Sequence, residues 1–178
     1  KMPNARTTKI LTWLYILEHC DIDQMAKVSK NASMQPKVRL GVREGESYKV
    51  KDLLYGLMLE SYNDCAVVLA EYAAGSVEKF EKRVNQMAAK LGASNTHFVT
   101  PNGLDGTDKD GRHETTAQDL AKIMARCIKN QQFLEITQAK QHTFTDGSGK
   151  RTFTCNNHNA LLSTMQGAIS GKTGYTSK

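Results

Sequence analysis

TTKILTWLYILEH, residues 7–19, is the stretch that decides the fold. Its apolar residues recur at the i, i+3, i+4, i+7 spacing that places side chains on one face of a helix: Ile10, Trp13, Leu14 and Leu17. We therefore expect a helix that starts near Thr7 and lies at the centre of the molecule. Trp13 is expected in the core rather than on a ligand-binding surface.

The remaining chain predicts more helix than strand. Charged and turn-forming residues interrupt the apolar ones over residues 25–50, which indicates short strands and loops. Helical spacing and capping residues predict further helices at residues 50–59, 63–74 and 76–91, and one that Thr115 or Thr116 caps and that ends near residue 130. Strands are predicted at residues 96–99, in a hairpin of residues 140–145 and 150–155, and at residues 168–175. The predicted class is α+β, a helical subdomain with a small antiparallel sheet.

Composition indicates a single globular domain over residues 1–178. The chain has 39% hydrophobic residues and only 3 prolines, which excludes a disordered or collagen-like chain. No run approaches the roughly 18 consecutive apolar residues of a membrane-spanning helix. We expect one folded unit without a membrane-spanning segment.

Charge and cysteine usage exclude several kinds of partner. The net charge is +6, but Lys and Arg are interspersed with 18 acidic residues, so nucleic acid is not expected. A mildly basic surface suits an anionic envelope or polymer instead. The cysteines form no CxxC motif and no cluster with histidine, which predicts packed thiols: Cys20, Cys65, Cys127 and Cys155. A calcium loop that began at Gly106 would need carboxylates at its first and twelfth positions, which are Gly106 and Ala117, so no metal is expected.

Three short motifs carry the candidate chemistry. RTTK at residues 6–9 begins the first helix, SYN at residues 61–63 separates two predicted helices, and KTG at residues 172–174 lies on the last predicted strand. Each motif alone occurs by chance in many proteins. Their order and setting together make the combination informative.

The first two motifs suit proton transfer to and from a nucleophile. Residues three apart on a helix share a face, so a hydroxyl at position 6 would lie beside the Lys9 amine. That amine can act as a base when burial and a second cation favour its neutral form. Ser61 could then pass a proton to the leaving amine, while the Asn63 amide holds Lys9 and the substrate.

The third motif suits binding of a free carboxyl terminus. The Lys172 ammonium and the Thr173 hydroxyl could hold a terminal carboxylate through charge-assisted contacts. Gly174 has no side chain, so a substrate could lie antiparallel along this strand. The third motif therefore favours a ligand that ends in a free carboxylate.

At these motifs the chain resembles the penicillin-binding D-alanyl-D-alanine carboxypeptidases, serine peptidases that trim the stem peptides of peptidoglycan. The resemblance covers most of the chain, in the segments MPNA and TTKI (2–5 and 7–10), LMLESYNDCAVVLAEYAAGS (57–76), LGASNTHFVTPNGLD (91–105) and GKTGYT (171–176). It implies a β-lactamase/transpeptidase-like fold. It also implies a location outside the cytoplasm, in the bacterial cell envelope.

The resemblance further implies residue roles and partners. Position 6 corresponds to the nucleophile and Lys9 to its base, and the backbone N–H groups of residue 6 and Tyr175 would form the oxyanion hole. The substrate would be a stem peptide that ends in D-Ala-D-Ala, and β-lactam antibiotics would acylate the same nucleophile. No cofactor is implied, and membrane attachment would use only segments absent from this chain.

Two features depart from the family pattern. Arg6 stands where the family has its nucleophilic serine, and a guanidinium cannot attack a carbonyl. Thr7 and Thr8 point away from the Lys9 face of the helix, so we expect the chain to be close to inactive. A natural loss, an introduced substitution and a sequence error would each account for Arg6. The family also has strands before and after these motifs, so we expect a catalytic domain truncated at both ends.

Two other functions are compatible with the motifs. A non-catalytic binding module could use Arg6 and the strand that carries Lys172 and Thr173 to hold D-Ala-D-Ala ends without cutting them. A β-lactamase shares the motifs but needs a carboxylate for deacylation, and no E-x-x-L-N segment occurs between Ser61 and Lys172. The sequence therefore favours the carboxypeptidase.

Overall fold

The computed structural model describes residues 2–3 and 7–173. The helices, in chain order, are α1 (Thr8–His19), α2 (Lys30–Ser33), α3 (Val50–Tyr55), α4 (Asn63–Ala74), α5 (Val77–Lys90), α6 (Ala117–Cys127), α7 (Gln131–Gln138) and α8 (Leu161–Thr164). The strands are β1 (Met2–Pro3), β2 (Met25–Lys27), β3 (Ser47–Lys49), β4 (Thr107–Asp108), β5 (Gly111–Arg112), β6 (Glu114–Thr115), β7 (Gln141–Thr145) and β8 (Thr152–Asn156). A π-helical turn, Gly56–Glu60, continues α3 towards α4.

Helix α1 lies in the core, as its apolar spacing predicts. Trp13 and Ile16 have no exposed surface. The Trp13 ring packs edge to face against Phe133 of α7, with 4.7 Å between ring centroids. Each such side chain contributes about 1.5–3 kcal/mol of burial free energy, so this helix supplies a large part of the core. The predicted helix and the core position of Trp13 are confirmed.

Helices α4 and α5 begin and end at the residues that cap them. Gly75 ends α4 with a φ of 82°, in the left-handed region that glycine adopts without strain. The Ser76 hydroxyl accepts a hydrogen bond from the Lys79 N–H at 3.2 Å and so caps α5. Both helices were predicted from these residues, and α4 has the predicted bounds.

The described strands form separate antiparallel pairs, namely β1–β6, β2–β3, β4–β5 and β7–β8. The longest pair is the predicted hairpin β7–β8, in which Phe144 lies opposite Phe153. Their ring centroids lie 6.4 and 5.9 Å from that of Tyr48 on β3, which joins the hairpin to the core. The α+β class is confirmed, with its small antiparallel content divided among these pairs.

The strand predicted at residues 96–99 is wrong, because the segment makes only an isolated bridge between His97 and Glu114. A side chain takes the place of a strand partner. Asn85 of α5 donates to the Phe98 carbonyl oxygen and accepts from the Phe98 N–H, both at 2.8 Å. The N–H and carbonyl groups of Phe98 are thus hydrogen-bonded without a paired strand.

The strand predicted at residues 168–175 does not form over residues 168–173, and residues 174 and 175 lie outside the described residues. Side chains of α7 hold this segment instead. Thr137 shares a hydrogen bond with the Ser170 hydroxyl at 2.8 Å, and Gln138 donates to the Ile169 carbonyl oxygen at 2.7 Å. A strand needs a paired edge, and β8 pairs only with β7 among the described residues.

Two predicted helices are interrupted. The one predicted over residues 116–130 ends at Cys127, and Asn130 then caps α7 by accepting from the Gln132 N–H at 2.9 Å. The one predicted over residues 50–59 changes to the π turn at Gly56. Neither change alters the α+β class, but the second determines where α4 begins.

The cysteines are free thiols, with Cys65, Cys127 and Cys155 buried and Cys20 half-buried. Burial raises the pKa of Cys127 to about 12, so its thiol stays protonated and unreactive. The prediction of packed thiols is confirmed. Across residues 2–3 and 7–173, no helix is both long enough and apolar enough to cross a membrane.

Candidate active site

The Lys9 side chain lies at the start of α1 with no exposed surface. Its Nζ donates to Asn63 Oδ1 at 3.1 Å and to the carbonyl oxygen of Asn102. Burial of an amine is costly unless its N–H groups are satisfied, and these two oxygens come from distant parts of the chain. The structure therefore brings the first motif and the second motif together around one amine.

Asn63 is oriented by a loop at residues 36–38. Its Nδ2 donates to the carbonyl oxygens of Pro36 and Lys37, both at 3.2 Å, and its backbone N–H donates to Val38 O at 2.8 Å. Because both amide protons are used by carbonyls, the Asn63 oxygen must face Lys9. The loop thus determines which end of the amide meets the amine.

Asp64, the next residue, anchors the continuation of that loop. Its buried carboxylate accepts hydrogen bonds from the backbone N–H groups of Leu40, Gly41 and Val42 at 3.0, 2.8 and 3.2 Å. Hydrogen bonds to an ionised acceptor are stronger than neutral ones. The N-terminus of α4 and the loop over it are therefore one rigid unit.

Ser61 lies at the junction between the π turn and α4. It adopts a left-handed conformation, with φ of 63°, and only 4% of its surface is exposed. Such a backbone is uncommon for a residue with a side chain, and strained residues of this kind cluster at functional sites. Its hydroxyl makes no hydrogen bond within residues 7–173. The side chain is thus positioned by the backbone rather than by a partner.

Gly56 makes this turn possible. A Cβ there would lie 3.1 Å from the Cys65 sulfur and 3.1 Å from the Tyr62 ring, which is tighter than ordinary packing. The backbone of the turn therefore approaches the two side chains closely. The chain reaches Ser61 and Asn63 through a contact that only glycine accommodates without displacement.

Asn102 also belongs to the group around Lys9, and no motif in the sequence marked it as a site residue. Its side chain donates to Gln35 Oε1 at 3.0 Å and accepts from the Leu104 N–H at 3.2 Å. In addition, Thr12 of α1 donates to the Pro101 carbonyl oxygen at 2.9 Å. No local sequence pattern indicates this role, because the contact between Asn102 and Lys9 joins residues that are 93 positions apart.

Thr8 does not replace the missing nucleophile. Its Oγ1 lies 2.6 Å from His113 Nε2, while His113 Nδ1 accepts the Val99 N–H at 2.8 Å. Since Nδ1 accepts, the neutral ring carries its proton on Nε2 and donates it to Thr8. A histidine in this tautomer cannot remove the Thr8 proton, so the pair is structural and not a catalytic dyad.

Stability is expected to fall in acid because of His113. Burial lowers the pKa of His113 from 6.5 to about 4. Between these values the unfolded chain binds a proton that the folded chain lacks, so stability present above pH 6.5 is lost as the pH falls towards 4. The shift corresponds to about 3 kcal/mol. Denaturant unfolding of the chain and of His113→Gln at pH 7, 5.5 and 4.5 checks this, and parallel pH dependences would contradict it.

The third motif is only partly described. Lys172 Nζ donates to the Thr173 carbonyl oxygen at 2.7 Å. The hydrogen bonds described for residues 169 and 170 join this segment to α7 and not to the group around Lys9. Arg6, Gly174 and Tyr175 lie outside the described residues. The nucleophile position, the oxyanion hole and the carboxylate contact therefore stay predictions.

Within residues 7–173, no three His, Cys, Asp or Glu side chains come together in a way that could hold a metal ion. The described group consists of the Lys9 amine, the Asn63 amide and the Asn102 backbone carbonyl, and Ser61 precedes Asn63 by two residues in the chain. These groups can move protons and bind amides. They suit acid–base chemistry beside a nucleophile supplied from position 6.

The chain matches a known family over residues 1–178, described as D-alanyl-D-alanine carboxypeptidase. It is 38% identical over 175 residues to D-alanyl-D-alanine carboxypeptidase DacB2 of Mycobacterium tuberculosis. The matched region covers 98% of this chain and 58% of that relative. It is 31% identical over 181 residues to DacF of Bacillus subtilis, and the matched region covers 99% of this chain and 45% of that relative. The chain thus spans about half the length of the curated relatives it matches.

Solved structures show the same fold. A D-alanyl-D-alanine carboxypeptidase from M. tuberculosis H37Rv superposes with a TM-score of 0.88 at 35% identity, over 98% of this chain and 64% of that one. The Streptomyces K15 DD-transpeptidase superposes with a TM-score of 0.85 at 32% identity, over 98% and 71%. The predicted transpeptidase-like fold is therefore confirmed.

Proposed function

Because the chain belongs to the D-alanyl-D-alanine carboxypeptidase family, we propose that it forms the catalytic part of a serine-type peptidase of the bacterial cell envelope. The substrate is a peptidoglycan stem peptide that ends in D-Ala-D-Ala. The reaction removes the terminal D-Ala through an acyl-enzyme, and β-lactam antibiotics acylate the same nucleophile. The observation that carries the proposal is the fully buried Lys9 amine, which the oriented Asn63 amide contacts at 3.1 Å.

Lys9 serves as the general base in this proposal. A neutral amine has two N–H bonds and one lone pair, and the described residues include two oxygens that accept from this amine, Asn63 Oδ1 and the Asn102 carbonyl oxygen. The lone pair can then accept a proton from a serine at position 6, one helical turn away. The serine oxygen attacks the carbonyl of the penultimate D-Ala, and the proton passes through Ser61 to the leaving D-Ala amine.

The remaining motif binds the substrate. The Lys172 ammonium and the Thr173 hydroxyl hold the terminal carboxylate, which explains a requirement for a free C-terminus. The substrate backbone lies along Gly174, and N–H groups of residue 6 and Tyr175 stabilise the oxyanion. Water then hydrolyses the acyl-enzyme and regenerates the serine.

Arg6 disables this chain as written, because a guanidinium has no nucleophilic oxygen. It also favours one second function, in which the chain binds D-Ala-D-Ala ends without cutting them. A guanidinium can pair with a carboxylate through two parallel hydrogen bonds. Such a module would bind the peptide measurably and release no D-Ala.

Intact mass after incubation with benzylpenicillin tests the carboxypeptidase proposal. Arg6→Ser is expected to gain the mass of one penicillin, and the chain as written and Arg6→Ala are expected to gain none. Acylation of the Arg6 chain would show that another hydroxyl is the nucleophile. If Arg6→Ser stays unmodified but binds a D-Ala-D-Ala peptide, the binding module replaces the carboxypeptidase.

A further inference from the structure

Residues 113–115 contact the chain on both sides of position 6. Before that position, β1 pairs antiparallel with β6, with Met2 opposite Thr115 and Pro3 opposite Glu114. After it, Thr8 Oγ1 receives the hydrogen bond from His113 Nε2 at 2.6 Å. One short segment therefore anchors the strand that leads to position 6 and the helix turn that follows it.

That segment is itself held firmly. The His113 backbone N–H donates to Gly106 O at 2.9 Å, and its ring lies edge to face with Phe98 at 5.6 Å between centroids. The ring is 5% exposed and accepts the Val99 N–H, as described above. Phe98 is attached to α5 through Asn85. His113 thus connects the start of α1 to a rigid part of the core.

Thr8 is the first residue of α1. N-terminal N–H groups of a helix have no partners within the helix, so the first turn is the part of a helix that frays most easily. The bond between Thr8 and His113 supplies a tertiary anchor at that place.

We propose that His113 is a positioning residue, which acts through Thr8 to hold the first turn of α1 and so aligns the side chain at position 6 with Lys9. This inference rests on the proposed function for its catalytic consequence. A displacement of about 1 Å between reacting groups can lower a rate about a hundredfold. We therefore expect loss of this hydrogen bond to lower the rate of attack more than the affinity for substrate.

The catalytic test uses the Arg6→Ser background and stopped-flow acylation by benzylpenicillin. Thr8→Val removes the hydroxyl with little change of shape, and His113→Asn retains an acceptor for Val99 but loses the reach to Thr8. Both are expected to lower the acylation rate constant at least tenfold while the dissociation constant of the initial complex changes less than threefold. Two conservative variants are expected to keep most of the acylation rate. His113→Gln retains an N–H donor near the Nε2 position, and Thr8→Ser retains the hydroxyl.

Asn130→Ala is the matched control. It removes the cap of α7, away from the start of α1, at a cost of about 1 kcal/mol in stability. Its acylation rate is expected to equal that of Arg6→Ser alone. If Thr8→Val and Asn130→Ala acylate at the same rate, the Thr8–His113 bond only stabilises the fold and the proposal is wrong.

A second measurement separates this proposal from the proposed function, because it uses the chain with Arg6 and needs no catalysis. Hydrogen exchange of the amides of residues 12–14 reports the opening of the first turns of α1. Thr8→Val is expected to speed that exchange at least tenfold, and Asn130→Ala is not. Unchanged exchange in Thr8→Val would overturn the positioning role. Faster exchange, with no acylation of Arg6→Ser, would overturn only the proposed function.

Discussion

Arg6→Ser is expected to raise the rate of D-Ala release from a peptide ending in D-Ala-D-Ala by about 10⁶-fold over the chain as written, the loss seen when a serine peptidase is deprived of its nucleophile. The substitution returns an attacking oxygen three residues before Lys9, the spacing at which two residues of a helix share a face. The Lys9 amine is already held by Asn63 and Asn102, so the base is in place before the serine arrives.

Single-turnover release of D-Ala, measured with enzyme in excess, checks this prediction. Arg6→Ala is the control, because it removes the guanidinium without adding a hydroxyl, and it is expected to stay at the background rate. Equal rates for Arg6→Ala and Arg6→Ser would mean that Arg6 only obstructs the site and that another residue is the nucleophile.

Lys9→Met in the Arg6→Ser background is expected to lower acylation by benzylpenicillin between about 10²-fold and 10⁴-fold, the usual contribution of a general base. Methionine is unbranched, apolar and only one atom shorter than lysine, but it cannot accept a proton. It also leaves two buried oxygens without the Lys9 donor, those of Asn63 and Asn102, so some loss of stability accompanies the loss of rate.

Lys51→Met provides the matched control for Lys9→Met. Lys51 lies on α3 and makes an ion pair with Glu135 at 3.3 Å, with a third of its side chain exposed. The same chemical change there is expected to leave acylation unaltered. Rates should be compared at a temperature where circular dichroism shows both variants fully folded. An acylation rate for Lys9→Met within threefold of Arg6→Ser would contradict the assignment of the base.

Local patterns predicted the elements that bury a face or end at a cap. The spacing around Trp13 predicted α1, and the chain between Asn63 and Gly75 predicted α4 with its bounds. The turn between β7 and β8 likewise predicted the hairpin. Strand predictions failed at residues 96–99 and 168–173, because a strand depends on a partner whose presence no local pattern reports.

The same division applies to the candidate site. Lys9, Ser61 and Asn63 stand in motifs whose spacing indicates chemistry. Asn102 and His113 do not, since each acts through a contact that spans 93 or 105 positions of the chain. Their roles depend on how residues 97–113 fold against α1, and this is a property of the tertiary structure.

The π turn before Ser61 sets the direction in which the chain leaves the helix. It holds an extra residue in one turn of helix, Gly56–Glu60. If the same residues wound as ordinary α-helix, the extra residue would advance the chain by about 100° of rotation. Ser61 would then turn away from its present direction, although every chemical group would still be present. The winding of the chain between Gly56 and Ser61 is therefore as strict a requirement of this site as the identity of the residues within it.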